Sequence, residues 1–323
     1  MKEGFDDAGR IVASASCPAV VSHVRPDGDA VGSLLALTLS LRLLGKPVTP
    51  VLADGLPARY KFLPGAELLS RTLPEQADVI VAVDCSDAAR LGLPSSVPPD
   101  RLAINIDHHA TNTRFAGLNL VDVNAVATAE ILYRWIIHQG FPLDRQVATN
   151  LLLGVVTDTI GFRTPNVTPQ TLRLAAELVE RGAPLAEVYD RGLNRRSSAA
   201  ARYWGHGLQR LERDGGLVWT FLSAEDRRRS GYPGLDDADL INLLSAVDGA
   251  QVAVIFVEQP GGKVKVSWRS GANLDVARLA QEFGGGGHEP AAGAMIDGGL
   301  DEVVGRVLSA TRSFLQPIME ANQ

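Results

Sequence analysis

Four runs of core-type residues in this chain close on an acid or an imidazole, and no other feature limits the fold as much. AVVSHV leads into RPDGDAVGS, DVIVAV ends on Asp84, RLAINI ends on Asp107, His108 and His109, and NLLLGVVT ends on Asp158. Short apolar runs bounded by polar punctuation read as strands buried on both faces, which belong to parallel sheets. In open sheets of that kind, ligands bind outside the carboxyl ends of the strands. Chemistry-bearing residues gathered at strand ends therefore point to one site. The fourth run, NLLLGVVTDT, fits a helix as well as a buried strand.

Helix signals lie between these runs. One helix is expected from about Val31 to Leu44, stopped by Gly45. TAEILYRWIIHQG has helical apolar spacing and a stop at Gly140. TPQTLRLAAELVERG carries Thr168 as N-cap, Pro169 at the first helical position and Gly182 beyond its end. The alternation predicts an α/β domain over residues 1–187, a parallel sheet with helices on both faces. The texture then shifts to DRGLNRRSSAAARYWG, so 188–215 is expected to connect two domains, as a chain of 323 residues would suggest. Residues 216–323 predict a smaller mixed-sheet α/β domain. Its pieces are a strand (GLVWTFLS), a helix (DDADLINLLSAVDG), a hairpin of QVAVIFVE and KVKVSWRS turning at Pro260-Gly261-Gly262, a helix (DVARLAQEF), a loop (GGGGHEPAAGA) and a C-terminal helix.

Several function classes are disfavoured. The two cysteines, Cys17 and Cys85, form no CxxC pair, so neither a disulfide framework nor a thiolate zinc site is indicated. A formal charge of −6 argues against a footprint for long duplex DNA. The start MKEGFDDAGR is too acidic for a signal peptide, and no apolar run reaches the ~18 residues of a membrane span. A cytoplasmic location is the expectation.

Each acid or imidazole has a plain reading alone. Asp84 reads as a turn residue or cap, and Asp27-Gly28 as a turn. Together, converging carboxylates would repel one another, and a bound divalent cation is the simplest neutraliser. Carboxylates with imidazoles and no thiolate suit Mn²⁺, with Mg²⁺, Co²⁺ or Zn²⁺ as substitutes. The candidate ligands exceed what one ion takes. Two ions roughly 3.5–4 Å apart would clamp the attacking and leaving oxygens of a phosphoryl transfer.

HVRPDGDAVGS, VAVDCSD, IDHHATN and TDTIGF resemble, in order, the four motifs of the DHH phosphoesterase superfamily. The second half resembles the DHH-associated nucleotide-binding domain through VSWRSG and GGGGHEPAAGA, and the overall length is similar to the branch of bifunctional oligoribonucleases and pAp phosphatases. The resemblance implies that His23, Asp27 and Asp84 hold one metal, and that Asp29, Asp84, His108 and Asp158 hold the second. It places Asp107 behind the histidines as an orienting group and His109 against the scissile phosphate, with a metal-bridging hydroxide as nucleophile. In the second domain, alternation along KVKVSWRS puts Lys263, Lys265, Ser267 and Arg269 on one face, opposite Val264, Val266 and Trp268. Arg269, Ser270, Gly285, Gly286, Gly287 and His288 would bind substrate across a cleft from the metals.

The implied activity is Mn²⁺-dependent hydrolysis of short RNA or DNA oligonucleotides, including linear dinucleotides, and removal of the 3′-phosphate of pAp. No membrane partner is expected, and a homodimer is left open. The alternatives are an inorganic pyrophosphatase of the same superfamily and a non-catalytic nucleotide sensor. His138, His206, Trp135, Asn112, Ser33 and Arg227–Arg229 read as structural.

Overall fold

Helix α1 (Lys2–Ser14) and strand β1 (Ala19–Val21) open the first of two units, Met1–Arg195 and Arg196–Gln323, in a computed structural model that describes residues 2–94, 97, 99–271 and 274–321. After β1 come α2 (Gly28–Leu43), β2 (Thr49–Val51), β3 (Ile80–Val83), β4 (Leu102–Asp107) and β5 (Leu118–Val121). Then follow α3 (Thr128–Gln139), α4 (Arg145–Asp158), α5 (Pro169–Glu180) and α6 (Leu185–Tyr189). The five strands pair in parallel in the order β2-β1-β3-β4-β5. The chain runs from β1 outward to β2, then crosses back to β3 on the other side. The carboxyl ends of β1 and β3 thus flank a topological switch point, where α/β sheets bind ligands.

Helix α2 is buried nearly all round, as its almost continuous apolar sequence demands. It lies against α4 so closely that a Cβ on Gly32 would sit 2.5 Å from the Asn150 carbonyl oxygen. One sheet face contributes Val20, Val81, Val83, Ile104 and Ile106 to the core shared with the helices. The other contributes Val21, Ile80, Ala82 and Leu102, packed with Cys85 and with Leu91 of the 3-10 turn Ala88–Leu91.

Two elements differ from the sequence expectation in ways that matter for the site. Helix α2 begins at Gly28 rather than near Val31, because Asp27 takes the N-cap position and its Oδ1 accepts from the Ala30 amide at 3.0 Å. Asp29 thereby enters the first helical turn. NLLLGVVTDT resolves as helix, since α4 runs 14 residues from an Asp144 cap, longer than a typical buried strand. Asp158 is its last residue, so the fourth acid comes from a helix end and not from a strand.

The second unit contains α7 (Ser198–Gln209), β6 (Glu212–Asp214), β7 (Leu217–Leu222), α8 (Ala224–Ser230), α9 (Leu240–Leu244), β8 (Val252–Gln259), β9 (Lys263–Ser270), α10 (Val276–Glu282), β10 (Gly286–His288), β11 (Ala291–Asp297) and α11 (Leu300–Ala321). Its sheet order is β10-β11-β9-β8-β7-β6, antiparallel except between β7 and β8. Val264, Val266 and Trp268 of β9 are buried with Leu279 and Val307. Ala253, Ile255 and Val257 of β8 join a second cluster with Tyr203 and Leu240. The expected long helix DDADLINLLSAVDG shortens to α9, because Ala238 (φ 52°) and Asp239 (φ 66°) are left-handed and interrupt it. GGGGHEPAAGA, expected as a loop, pairs as β10 with β11.

Candidate metal centre

Strand β1 delivers its polar residues directly. Ser22 ties the ends of β1 and β3 together by donating to the Val83 carbonyl at 2.8 Å. His23 follows, with Nδ1 2.9 Å from the Val24 carbonyl oxygen. That contact fixes Nδ1 as the protonated nitrogen and leaves Nε2 facing Asp84 Oδ2 at 3.7 Å and Asp27 Oδ2 at 4.0 Å.

Asp84 is the first residue after β3. Its amide extends the ladder by donating to Ile106 at 2.9 Å, while its φ of 56° swings the side chain out of the strand alternation. Aspartate is among the few residue types that tolerate this left-handed geometry. The other carboxylate oxygen, Oδ1, lies 3.8 Å from His108 Nε2. Asp84 therefore faces an imidazole with each oxygen. His108 Nε2 is in turn 3.4 Å from Asp158 Oδ2. Among the described residues, three groups have ligand atoms mutually within 4.8 Å: His23, Asp27 and Asp84; Asp29, His108 and Asp158; and Asp84, His108 and His109.

Asp107, at the end of β4, is fully buried and splits its two oxygens. Oδ1 meets His109 Nδ1 at 2.7 Å, and Oδ2 accepts from Asn112 Nδ2 at 2.6 Å. Asn112 also donates to Asn105 Oδ1 at 2.7 Å. This network holds the His109 ring in place.

Asp29 is equally committed. Its Oδ2 accepts from the Thr128 amide at 2.6 Å, and its Oδ1 accepts from the Ala129 amide at 3.1 Å and the Ser33 hydroxyl at 3.0 Å. Gly154 of α4 makes room for it, since a Cβ there would stand 2.4 Å from Asp29 Oδ1.

Charge sharpens the picture. Burial, then the charges of Asp84 and Asp158, hold Asp29 well above the usual carboxylate range. Burial and the charges of Asp27 and Asp84 do the same to Asp158. Burial would raise Asp84 too, but the facing His23 and the neighbouring imidazoles His109 and His108 outweigh it and pull Asp84 down. Burial opposes a proton on His109, yet the Asp107 hydrogen bond and the charge of Asp84 raise it to about 9. Acids that raise one another, some buried (Asp29, Asp84) and some at least partly open to solvent (Asp27, Asp158), with imidazole nitrogens turned toward them, make a donor set suited to divalent cations. The residues fit such ions.

In the second unit, Arg269 lies on β9 between Ala253 and Ala291, with Nη1 donating to the Trp268 carbonyl at 3.0 Å. Burial lowers it against the charges of Asp237 and Asp239. Ser270 donates to the Leu274 carbonyl at 2.6 Å. Gly285 and Gly287 serve close strand approach, because a Cβ would meet the Gly293 oxygen at 2.2 Å or the Ala291 oxygen at 2.4 Å. Gly286 pairs with Gly293. The His288 backbone pairs with Ala291, and its side chain lies outside the described residues.

Sequence reasoning missed Thr128, Asn105 and Gly154. Thr128 stands where a helix begins, and Gly154 interrupts an apolar run, so each has an ordinary local explanation. Of the residues read as structural, Ser33 and Asn112 hold Asp29 and Asp107, Trp135 is buried, His138 pairs with Asp6 at 2.8 Å, and His206 lies 3.6 Å from Asp226.

The chain matches the DHH family, N-terminal domain, over residues 19–155 and the DHHA1 domain over 230–316. It is 40% identical over 302 residues to the bifunctional oligoribonuclease and PAP phosphatase NrnA of Thermus thermophilus, covering 92% of this chain and 89% of that one. The protein of the same name from Bacillus subtilis is 29% identical, covering 85% and 87%. Among solved structures, an exopolyphosphatase-related protein from Bacteroides fragilis superposes with TM-score 0.90 at 24% identity, over 99% of this chain and 98% of that one. RecJ from Thermus thermophilus in complex with Mn²⁺ gives 0.57 at 14% identity, over 98% of this chain and 55% of that one. These two structures speak to the fold.

Proposed function

The chain belongs to the DHH family, and from that membership we propose that it is a two-metal phosphodiesterase and phosphatase acting on short oligonucleotides and on pAp. The names of its relatives from Thermus thermophilus and Bacillus subtilis support both activities. The observation that carries the reading is Asp84, whose oxygens face His23 on one side and His108 on the other. His23, Asp27 and Asp84 would hold one ion, and Asp29, Asp84, His108 and Asp158 the other. The donor chemistry favours Mn²⁺.

When bound, such ions polarise phosphoryl oxygens and make water acidic enough to attack near neutral pH. The chain's own residues supply the rest. Asp107 and Asn112 hold the His109 ring in a fixed orientation, from which it would stabilise phosphate charge or give a proton to the leaving oxygen. Arg269 supplies a planar fork suited to a phosphate or a base face, and Ser270, the Gly285–Gly287 backbone and His288 complete the nucleotide-binding set. Among the described residues no helix is long and apolar enough to cross a membrane.

The test compares four substrates with Mn²⁺: pAp, a 5′-phosphorylated RNA dinucleotide, a 24-mer and pyrophosphate. Turnover of pAp and the dinucleotide is expected. Failure on both would sink the reading, and fast pyrophosphate cleavage would favour a pyrophosphatase instead. Asp84→Ala should lower activity well beyond the roughly 10–100-fold typical of losing a partner of a metal ligand, because it strips both ions of a donor. Near-normal turnover would refute the shared assignment.

A further inference from the structure

Helix α3 has no cap of its own. Ala127 occupies its N-cap position and makes no side-chain hydrogen bond. The free amides of the first turn are met instead by Asp29 of α2, which accepts from Thr128 and Ala129. The fully buried Thr128 also reaches the other way, its hydroxyl donating to Asp84 Oδ1 at 2.9 Å. At the first position of a helix a threonine has no carbonyl of a preceding turn to bond, so its hydroxyl is free to serve a distant acceptor. One residue thus engages two carboxylates that come from different elements, Asp29 through its amide and Asp84 through its side chain.

The oxygen that Thr128 engages is the one on the His108 side of Asp84. A carboxylate oxygen has more than one acceptor direction, so a single donor orients it without exhausting it. A carboxylate that can no longer rotate presents its remaining direction to an ion at no further ordering cost. We propose that Thr128 is a positioning residue that fixes the rotation of Asp84 and so sets the affinity of the site for its divalent ions. The proposal rests on the two-ion reading above.

Thr128→Val removes the hydroxyl while keeping the branched shape and the amide that binds Asp29. Thr128→Ser keeps the hydroxyl and loses a methyl group. Equilibrium dialysis against Mn²⁺ alone, with thermal melting as a check on folding, separates the possibilities. The expected result is a 10–100-fold loss of affinity for at least one ion in Thr128→Val, with Thr128→Ser close to the unsubstituted protein. Unchanged affinity in Thr128→Val, or equal losses in both variants, would overturn the proposal. If the unsubstituted protein bound no Mn²⁺, the two-ion reading itself would fall, a result distinct from either of these.

Discussion

Gly154 sits inside a helix, where alanine would ordinarily be favoured by about 1 kcal/mol. A Cβ there would lie 2.4 Å from Asp29 Oδ1 and 2.7 Å from the Ala129 Cβ. Packing therefore opposes intrinsic preference, and the sign of the outcome tells which wins. Gly154→Ala should destabilise the first unit by about 1–3 kcal/mol, the usual range for overpacking, and weaken Mn²⁺ binding with it. A more stable variant with unchanged metal affinity would show that Asp29 can yield. At this scale the sequence reveals residues whose chemistry is unusual for their setting. Acids and imidazoles at the ends of apolar runs announced themselves. Gly154, Thr128 and Asn105 did not, because a glycine, a threonine and an asparagine are unremarkable until their neighbours are known.

Between elements, and away from the candidate metal centre, a two-point ion pair joins the end of α7 to α8. Arg210 forks onto Asp226 at 2.6 and 2.8 Å, and Asp226 also accepts from the Ser223 amide and hydroxyl. Asp226 is buried, and although burial alone would raise it, the Arg210 and Ser223 hydrogen bonds hold it well below the usual carboxylate range. Because its folded value lies below its unfolded value of about 4, its contribution is complete above that pH and fades as pH falls below it. Asp226→Asn should cost about 1–3 kcal/mol at pH 7, with the gap from the unsubstituted protein narrowing in denaturant melts as pH drops from about 5 to 3. A gap independent of pH would remove the ion pair from the explanation. Elements with one-sided patterns were legible, such as β9 with its alternating face and α5 with its Thr168 cap. NLLLGVVTDT was not, since a segment buried on every side leaves no periodicity to read. GGGGHEPAAGA was misread because glycines demanded by close strand pairing look like loop glycines.

The two units each bury a core of their own, and every group of candidate metal ligands among the described residues belongs to the first. A ligand that binds only the folded state stabilises the part that holds it. Mn²⁺ at a hundredfold excess over its dissociation constant should raise the stability of the first unit by about 2.7 kcal/mol, and EDTA should reverse the change. In calorimetry the transition of residues 196–323 should stay in place. Movement of that transition with Mn²⁺ would count against independent cores. The change of texture at DRGLNRRSSAAARYWG led to the expectation of a connecting segment over 188–215, and the chain divides between Arg195 and Arg196. The strand order carries a consequence for synthesis. β1 is made first yet lies inside the sheet between β2 and β3, and the candidate ligands extend from His23 to Asp158. A nascent chain leaving the ribosome amino end first holds half a site until α4 has emerged. The donors of the second ion are then complete only once Asp158 has been made, about halfway along the chain, with α5 and α6 of the same unit still to come.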